Sequence, residues 1–303
     1  MACPACFSGF VHNGEPRGAI EQLALADGSS VGAYVSASPT PNAPMLLFFT
    51  DVFGMSFKNS QLLADTYAAA GFTVFVPDLF GGRPLAPTAM AFADAEGWAR
   101  LATPFRLLLA LPSIVPWFRT QGTEARLKPL ALALATALRA RASAAGVKLF
   151  AAGFCLGGRY SALVAGPLLG GAPLVDAAVM AHPSFLAAGE AAAVAAPALY
   201  CLVEKDMFSP ADAAKAFAAQ AAAARGGGAP AGRAIVYPGM SHGFAVRGGP
   251  STDAMRCAAA RRAVRSRAGR PSTLLTTAPS THARAPCRAK CAQDVIDFFK
   301  ALA

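Results

Sequence analysis

The sequence predicts an α/β fold with a mostly parallel central sheet and helices on both faces. Short apolar runs, of which Met45–Thr50 is the clearest, alternate with longer segments of helical character. Such runs are typical of strands that are buried on both faces of a parallel sheet. The 303 residues are 54% hydrophobic and 15% charged, which suits one large globular domain. We therefore expect a single domain over residues 1–303.

The first half of the chain alternates strands and helices. The predicted elements are a strand at Met45–Thr50, a helix at Lys58–Ala70, a strand at Phe72–Pro77, a helix at Glu124–Ala145 and a strand at Val147–Ala152. Between the second strand and the second helix, residues 81–121 contain five prolines. Because proline interrupts helices, we expect short helices and loops there, near the mouth of the site.

The second half repeats this alternation. The predicted elements are helices at Arg159–Val164, Ala211–Ala224 and Gln293–Leu302, with strands at Val175–Ala181, Ala198–Val203 and Ala234–Tyr237. Residues 257–290 do not follow the pattern, since they are rich in Ala, Arg, Ser, Thr and Pro and lack sustained periodicity. We interpret them as a disordered basic insertion before the C-terminal helix. A nucleic-acid or membrane-surface tether and an error in the gene model remain as alternatives.

The net charge of +10 is concentrated in one segment. Eight Arg and one Lys lie between Arg256 and Lys290 without any Asp or Glu, so the rest of the chain carries about +1. The main domain therefore gives no reason to expect a nucleic-acid partner. No apolar run is long enough to span a bilayer, and the N-terminus does not resemble a secretion signal. We expect a cytoplasmic protein, either a monomer or a dimer.

Seven cysteines form no regular disulfide framework, and their odd number leaves at least one unpaired. In a reducing compartment all seven would be thiols. Cys3 and Cys6 have zinc-ligand spacing, but His12 alone lies near them and no second pair follows. We therefore expect neither a metal nor an organic cofactor.

The strongest chemical signal is the sequence Gly-Phe-Cys-Leu-Gly-Gly at 153–158, between a predicted strand and a predicted helix. It has the G-x-nucleophile-x-G form of a nucleophile elbow, with Cys155 in place of serine. The glycines are needed because side chains beside the sharp turn would collide with neighbouring backbone. The N–H groups at the start of the helix face the same point and favour negative charge there.

Two partners for Cys155 follow in the chain order of α/β-hydrolases. Asp206 comes directly after the strand that ends at Val203, and His242 follows the next strand. Parallel sheets gather such positions at the carboxyl ends of their strands. Glu204 is a minor alternative to Asp206, and His182 is interpreted as a supporting or structural residue.

On these motifs the chain resembles the dienelactone hydrolase family of α/β-hydrolases. The matching segments are Asp-Val-Phe-Gly at 51–54, Pro-Asp-Leu-Phe at 77–80, the cysteine elbow, Asp206 and His-Gly-Phe at 242–244. The opening residues 3–18 resemble the N-terminus of eukaryotic members. The resemblance implies that Cys155 is the nucleophile, His242 the base and Asp206 the acid that orients it.

Further roles are implied by the same resemblance. The backbone N–H groups of Leu156 and Val52 would form the oxyanion hole. Asp51 occupies the place of a family glutamate that supports the thiol. Two substrate-binding arginines of bacterial members are matched one residue further along, by Arg83 and Arg247.

The expected function is cysteine-dependent hydrolysis of small-molecule esters or lactones through an acyl-enzyme. The main alternative is an α/β-hydrolase fold that serves as a non-catalytic binding or scaffold protein. A thiol-dependent redox enzyme is a further alternative, although no resolving cysteine lies next to the elbow.

Overall fold

The computed structural model describes residues 9–86, 103–167, 171–204, 206, 216–217, 219, 232–249 and 287–303, with no side chains described over 103–111. Cys3, Cys6, His282, most of the predicted helix at 211–224 and residues 257–286 of the predicted insertion lie outside these ranges. No helix in the described ranges is long and apolar enough to cross a membrane.

The described residues form one eight-stranded sheet. The strands are β1 Ala19–Ala24, β2 Ser30–Ser36, β3 Met45–Phe49, β4 Thr73–Pro77, β5 Leu149–Phe154, β6 Ala177–Ala181, β7 Ala198–Val203 and β8 Gly232–Tyr237. Their order is β1-β2-β4-β3-β5-β6-β7-β8. The pairs β1–β2 and β2–β4 are antiparallel, and the other neighbours are parallel. The predicted fold class is confirmed.

Helices occupy the connections between the strands. They are α1 Lys58–Ala69, α2 Thr103–Thr120, α3 Glu124–Ala145, α4 Leu156–Ala165, α5 Ala188–Ala192, α6 Phe244–Arg247 and α7 Cys287–Lys300. Strands β3, β5, β6 and β7 are buried at every position, as their continuous apolar runs predicted. Phe48 of β3 stacks on Phe154 of β5 with 4.6 Å between ring centroids, which joins β3 to the strand that ends at the elbow.

Helix α2 corrects the prediction of short helices and loops. It runs for 18 residues through Pro112 and Pro116. An interior proline costs about 3 kcal/mol because it removes a backbone hydrogen bond and crowds the preceding turn. Tertiary packing offsets this cost: Trp117 is buried, contacts the ring of Phe80 at 4.9 Å and donates from its indole N–H to the Arg83 carbonyl at 2.8 Å.

The last helix begins earlier than predicted. Residues 287–290, assigned from the sequence to the disordered insertion, form the first turn of α7. Buried side chains recur every four residues along this helix, at Cys287, Cys291, Val295 and Phe299, so one face lies against the sheet. Phe299 stacks on Phe150 at 4.8 Å. The apolar face thus begins at Cys287, six residues before the predicted start of the helix at Gln293.

The cysteines differ from the prediction that all are thiols. Cys155, Cys201 and Cys291 are buried and form no disulfide. Cys287 is disulfide-bonded, so the expectation is wrong for that residue.

Candidate active site

Cys155 lies on a strained turn between β5 and α4. Its φ of 54° and ψ of −119° belong to a region that residues with side chains rarely adopt. The turn is fixed by the Cys155 N–H, which donates to the Ala181 carbonyl on β6 at 3.1 Å. The geometry agrees with a nucleophile elbow, in which a side chain is held out at the edge of the sheet.

The glycines around Cys155 allow a close approach of backbones. A Cβ on Gly153 would overlap the carbonyl of Gly157, and a Cβ on Gly157 would overlap the carbonyls of Phe49 and Thr50. A Cβ on Gly158 would lie 2.8 Å from the Cβ of Pro183. The elbow can therefore pack tightly against β3 and against the turn after β6 only with these glycines.

His242 and Asp206 meet as the sequence predicted. The Nδ1 of His242 is 2.8 Å from Oδ2 of Asp206, and both side chains are almost fully buried. Glu204 instead accepts a hydrogen bond from the Gly239 N–H at 3.1 Å and is exposed. Asp206 rather than Glu204 is thus the carboxylate that is hydrogen-bonded to the imidazole.

The protonated form of His242 is favoured despite its burial. Burial alone would lower its pKa, but the negative charge of Cys155 and hydrogen bonds with Asp206 and Cys155 outweigh it, and the pKa is raised to about 9. An imidazole that holds a proton beside a sulfur in this way is suited to an ion pair with a thiolate.

Ser184 was not singled out in the sequence, although it lies between Cys155 and His242. Its Oγ is 3.3 Å from Sγ of Cys155 and 3.2 Å from Nε2 of His242. It follows β6 in the segment Ala-His-Pro-Ser, of which only the histidine is interpreted in the sequence analysis. The signal that could have found it is its position just after the carboxyl end of a strand, which it shares with the other site residues.

His182 supports the site through packing. Its ring is fully buried, and its centroid lies 4.9 Å from that of His242. Neither of its ring nitrogens has a hydrogen-bond partner among the described residues. Burial, and then the charges of His242 and Arg247, hold its pKa well below the usual value, so the ring is neutral. This agrees with its interpretation as a supporting residue.

Asp51 and Arg247 form a second buried pair next to Cys155. The guanidinium of Arg247 donates to Oδ2 of Asp51, and both side chains are inaccessible to solvent. The Phe53 N–H donates to Oδ1 of Asp51 at 3.0 Å, and the Phe53 ring lies 5.1 Å from the guanidinium carbon. In this conformation Arg247 faces Asp51 instead of the solvent from which a substrate would enter.

The Asp51 carboxylate lies within electrostatic range of the thiol. Burial raises its pKa most, Arg247 opposes that shift, and the charge of Cys155 raises the pKa further. The charges of Asp51 and Cys155 therefore interact, although the hydrogen bonds of Asp51 are made with Arg247 and with the backbone.

Val52 and Leu156 occupy matching positions beyond two paired strands. Phe49 of β3 is the register partner of Gly153 of β5, and Val52 and Leu156 each lie three residues further on. Among the described residues, neither N–H donates a turn or loop hydrogen bond to a backbone carbonyl. Both amides are thus placed at the same edge of the sheet as Cys155.

The outer rim of the site combines aromatic and basic side chains. Phe185, directly after Ser184, is 47% exposed and lies 6.1 Å from the ring of Phe118 on α2. Arg83 is exposed on the loop that α2 contacts through Trp117. Helix α2 therefore borders the site, as predicted for this part of the chain. No cluster of metal-binding side chains is found among the described residues.

Comparison with known proteins agrees with this architecture. The model of the dienelactone hydrolase family matches residues 31–268. Hydrolase tropI of Talaromyces stipitatus is 27% identical over 254 residues, which cover 84% of this chain and 89% of the relative. Dienlactone hydrolase 1 of Gibberella moniliformis is 42% identical over 88 residues, covering 27% of this chain and 31% of the relative.

Solved structures are similar in fold. A putative dienelactone hydrolase from Klebsiella pneumoniae has a TM-score of 0.54 and 18% identity, covering 82% of this chain and 97% of that chain. A dienelactone hydrolase from Anabaena variabilis has a TM-score of 0.52 and 14% identity, covering 83% and 97%. Since the family model matches most of its length, the chain belongs to the dienelactone hydrolase family.

Proposed function

We propose that this protein hydrolyses carboxylic esters or lactones, with Cys155 as nucleophile, His242 as base and Asp206 as the acid that orients it. The observation that carries the proposal is the hydrogen-bonded array from Asp206 through His242 to the strained elbow at Cys155. A nucleophile needs a base within reach, and the base needs an orienting group. Family membership supports hydrolysis as the reaction.

The reaction begins with a proton on His242 and a thiolate on Cys155. The sulfur attacks the substrate carbonyl carbon, the C–S bond forms, and an electron pair moves onto the oxygen. The backbone N–H groups of Val52 and Leu156 stabilise this oxyanion, and loss of one such donor typically costs about 3 kcal/mol. Collapse of the intermediate breaks the C–O bond, and His242 protonates the departing alkoxide.

Hydrolysis of the acyl-enzyme completes the cycle. His242, neutral after giving up its proton, takes a proton from water as the water attacks the thioester carbonyl. The second tetrahedral intermediate expels the Cys155 thiolate and releases the carboxylic acid. The imidazolium so formed restores the starting ion pair, which the raised pKa of His242 favours.

The rim of the site bears on the substrate class. Arg83 is exposed beside helix α2 and is the residue that we propose to contact an anionic group of the substrate. Phe185 and Phe118 offer apolar surface at the same rim. A small ester or lactone with an apolar portion and a carboxylate suits these side chains.

We propose that Asp51 and Arg247 act together on the thiol. The negative charge of Asp51 disfavours the thiolate form of Cys155, and Arg247 holds the Asp51 carboxylate in place. Arg247 would reach a substrate carboxylate only by leaving this pair, which makes Arg83 the better candidate for that contact.

The test compares hydrolysis of p-nitrophenyl acetate and of a simple dienelactone by wild type, Cys155→Ala and Cys201→Ala. Cys201 is a matched control, since it is also a buried cysteine that forms no disulfide. We expect activity to be lost in Cys155→Ala and retained in Cys201→Ala. Turnover that survived Cys155→Ala would refute the nucleophile, and a folded but inert wild type would favour the scaffold alternative.

A further inference from the structure

The turn after β6 is built to hold one hydroxyl against the elbow. His182 and Phe185, on either side of Pro183 and Ser184, have positive φ values of 37° and 59°. Such values are costly for residues with side chains, and they persist only where the surroundings impose them. In this strained turn the Ser184 side chain faces inward and is 1% exposed.

Backbone contacts lock this turn to Cys155. The Ser184 N–H donates to the Cys155 carbonyl at 2.8 Å, and the Cys155 N–H donates to the Ala181 carbonyl at 3.1 Å. Pro183 packs where a side chain on Gly158 would lie. Ser184 and Cys155 therefore cannot move apart without disturbing both β6 and the elbow.

The Ser184 hydroxyl touches both groups that the proposed reaction requires. It lies 3.3 Å from the sulfur of Cys155 and 3.2 Å from Nε2 of His242. A hydroxyl can donate one hydrogen bond and accept two, so it can donate to sulfur and accept from the imidazole at the same time. These are the hydrogen-bond roles that suit a thiolate, which accepts, and an imidazolium, which donates.

We infer that Ser184 is a further catalytic residue, whose hydroxyl bridges Cys155 and His242 and stabilises their ion pair. The inference rests on the proposed function of the site and names a residue that the cysteine, histidine and aspartate do not include. In the ion pair the Ser184 O–H donates to the thiolate, and the Nε2–H of His242, which also hydrogen-bonds with the sulfur, donates to the Ser184 oxygen. Hydrogen bonds to charged groups are about twice as strong as those between neutral groups.

The proton balance is simple. The S–H bond of Cys155 breaks and an N–H bond forms at Nε2 of His242, because the proton crosses the hydrogen bond between these two side chains. Ser184 keeps its own proton throughout, and no other reactant is consumed.

Other charged and titratable groups lie near the site, after the neighbouring strand ends. They are Asp51 after β3, His182 after β6, Asp206 after β7, and His242 and Arg247 after β8. All of them are present in every variant below. A change that appears only when Ser184 is replaced is thus assignable to its hydroxyl.

The experiment follows formation of the Cys155 thiolate by its ultraviolet absorbance as a function of pH, with Cys155→Ala versions as blanks. It compares wild type, Ser184→Ala and Ser184→Thr, which keeps the hydroxyl. Ser161→Ala is the matched control, because Ser161 is equally buried on α4 and its Oγ has no hydrogen-bond partner among the described residues.

We expect Ser184→Ala to move the thiolate midpoint upward by about one pH unit, a roughly tenfold lower thiolate-to-thiol ratio at a given pH. Ser184→Thr should restore most of the shift, and Ser161→Ala should behave as wild type. An unchanged midpoint in Ser184→Ala, or a threonine variant as shifted as the alanine variant, would overturn the inference.

This readout needs no substrate, so it separates the inference from the proposed function. A wild type that hydrolyses no ester, yet shows the expected shift in Ser184→Ala, would refute the hydrolase proposal while supporting the role of the hydroxyl. If the wild type hydrolyses esters but wild type and Ser184→Ala titrate identically, the hydrolase proposal is supported and the role of the hydroxyl is refuted.

Discussion

Two buried carboxylates flank Cys155, and their partners differ in one property. Asp206 pairs with His242, and Asp51 pairs with Arg247, with all four side chains almost inaccessible to solvent. Histidine can release its proton near neutral pH, whereas arginine stays charged. The first pair can therefore move a proton during a reaction, while the second supplies a fixed charge balance. Similar burial and geometry thus support two different tasks.

The largest effect is expected from breaking the Asp206–His242 pair, which we propose moves a proton during the reaction. Asp206→Asn keeps the shape of the side chain but no longer fixes the tautomer or stabilises the imidazolium. We expect kcat/KM for p-nitrophenyl acetate to fall about ten-thousandfold, as such a loss does in a serine-based triad. Glu204→Gln, two residues away and on an exposed side chain, should change kcat/KM less than about threefold. Similar losses in both variants would contradict the assignment of Asp206.

The fixed pair should matter most for stability. Arg247→Met leaves the Asp51 carboxylate buried without its cation, which typically costs about 3–5 kcal/mol in the free energy of unfolding. Denaturant titration measures this change. Asp51→Asn combined with Arg247→Met should recover most of the loss, because no lone charge then stays buried. A double variant as unstable as Arg247→Met alone would mean that packing, rather than charge, explains the cost.

The raised pKa of His242, caused first by the charge of Cys155 and then by the hydrogen bond with Asp206, makes stability depend on pH in alkaline solution. The pKa of His242 is raised from 6.5 to about 9 in the folded protein, so its protonated form stabilises the fold. That contribution is fully present below pH 6.5 and is lost as pH rises through about 9, with a total on the order of 3 kcal/mol. Unfolding free energies of wild type and His242→Gln, measured across this window, should converge as pH rises. Parallel curves would contradict the shift.

The smallest effect is expected where an ion pair is not buried. Lys58 and Glu15 are 3.3 Å apart, with side-chain exposures of 36% and 92%. Lys58→Met should change the free energy of unfolding by less than about 1 kcal/mol, because water screens this pair. The same denaturant titration provides the comparison with Arg247→Met. A cost as large as that of the buried pair would show that burial is not what distinguishes them.

Local patterns predicted the parts of the molecule that depend on neighbouring residues. Strand β3 was recognisable because burial on both faces requires a continuous apolar run. Strands β1 and β2 were not identified from the sequence. Strand β1 is exposed at five of its six positions and forms an edge of the sheet, so it has no continuous apolar run. Helix α2 was misjudged because its prolines are compensated by tertiary contacts that involve Trp117.

The sequence by itself determined the fold class, the elbow at Cys155 and the order of Asp206 and His242, because each signal is contained in a strand and the turn that follows it. Tertiary structure decided which side chains meet. Asp51 and Arg247 are 196 positions apart, and Ser184 and His242 are 58 apart. No local pattern encodes such contacts, since they exist only once the strand ends have been gathered at one edge of the sheet.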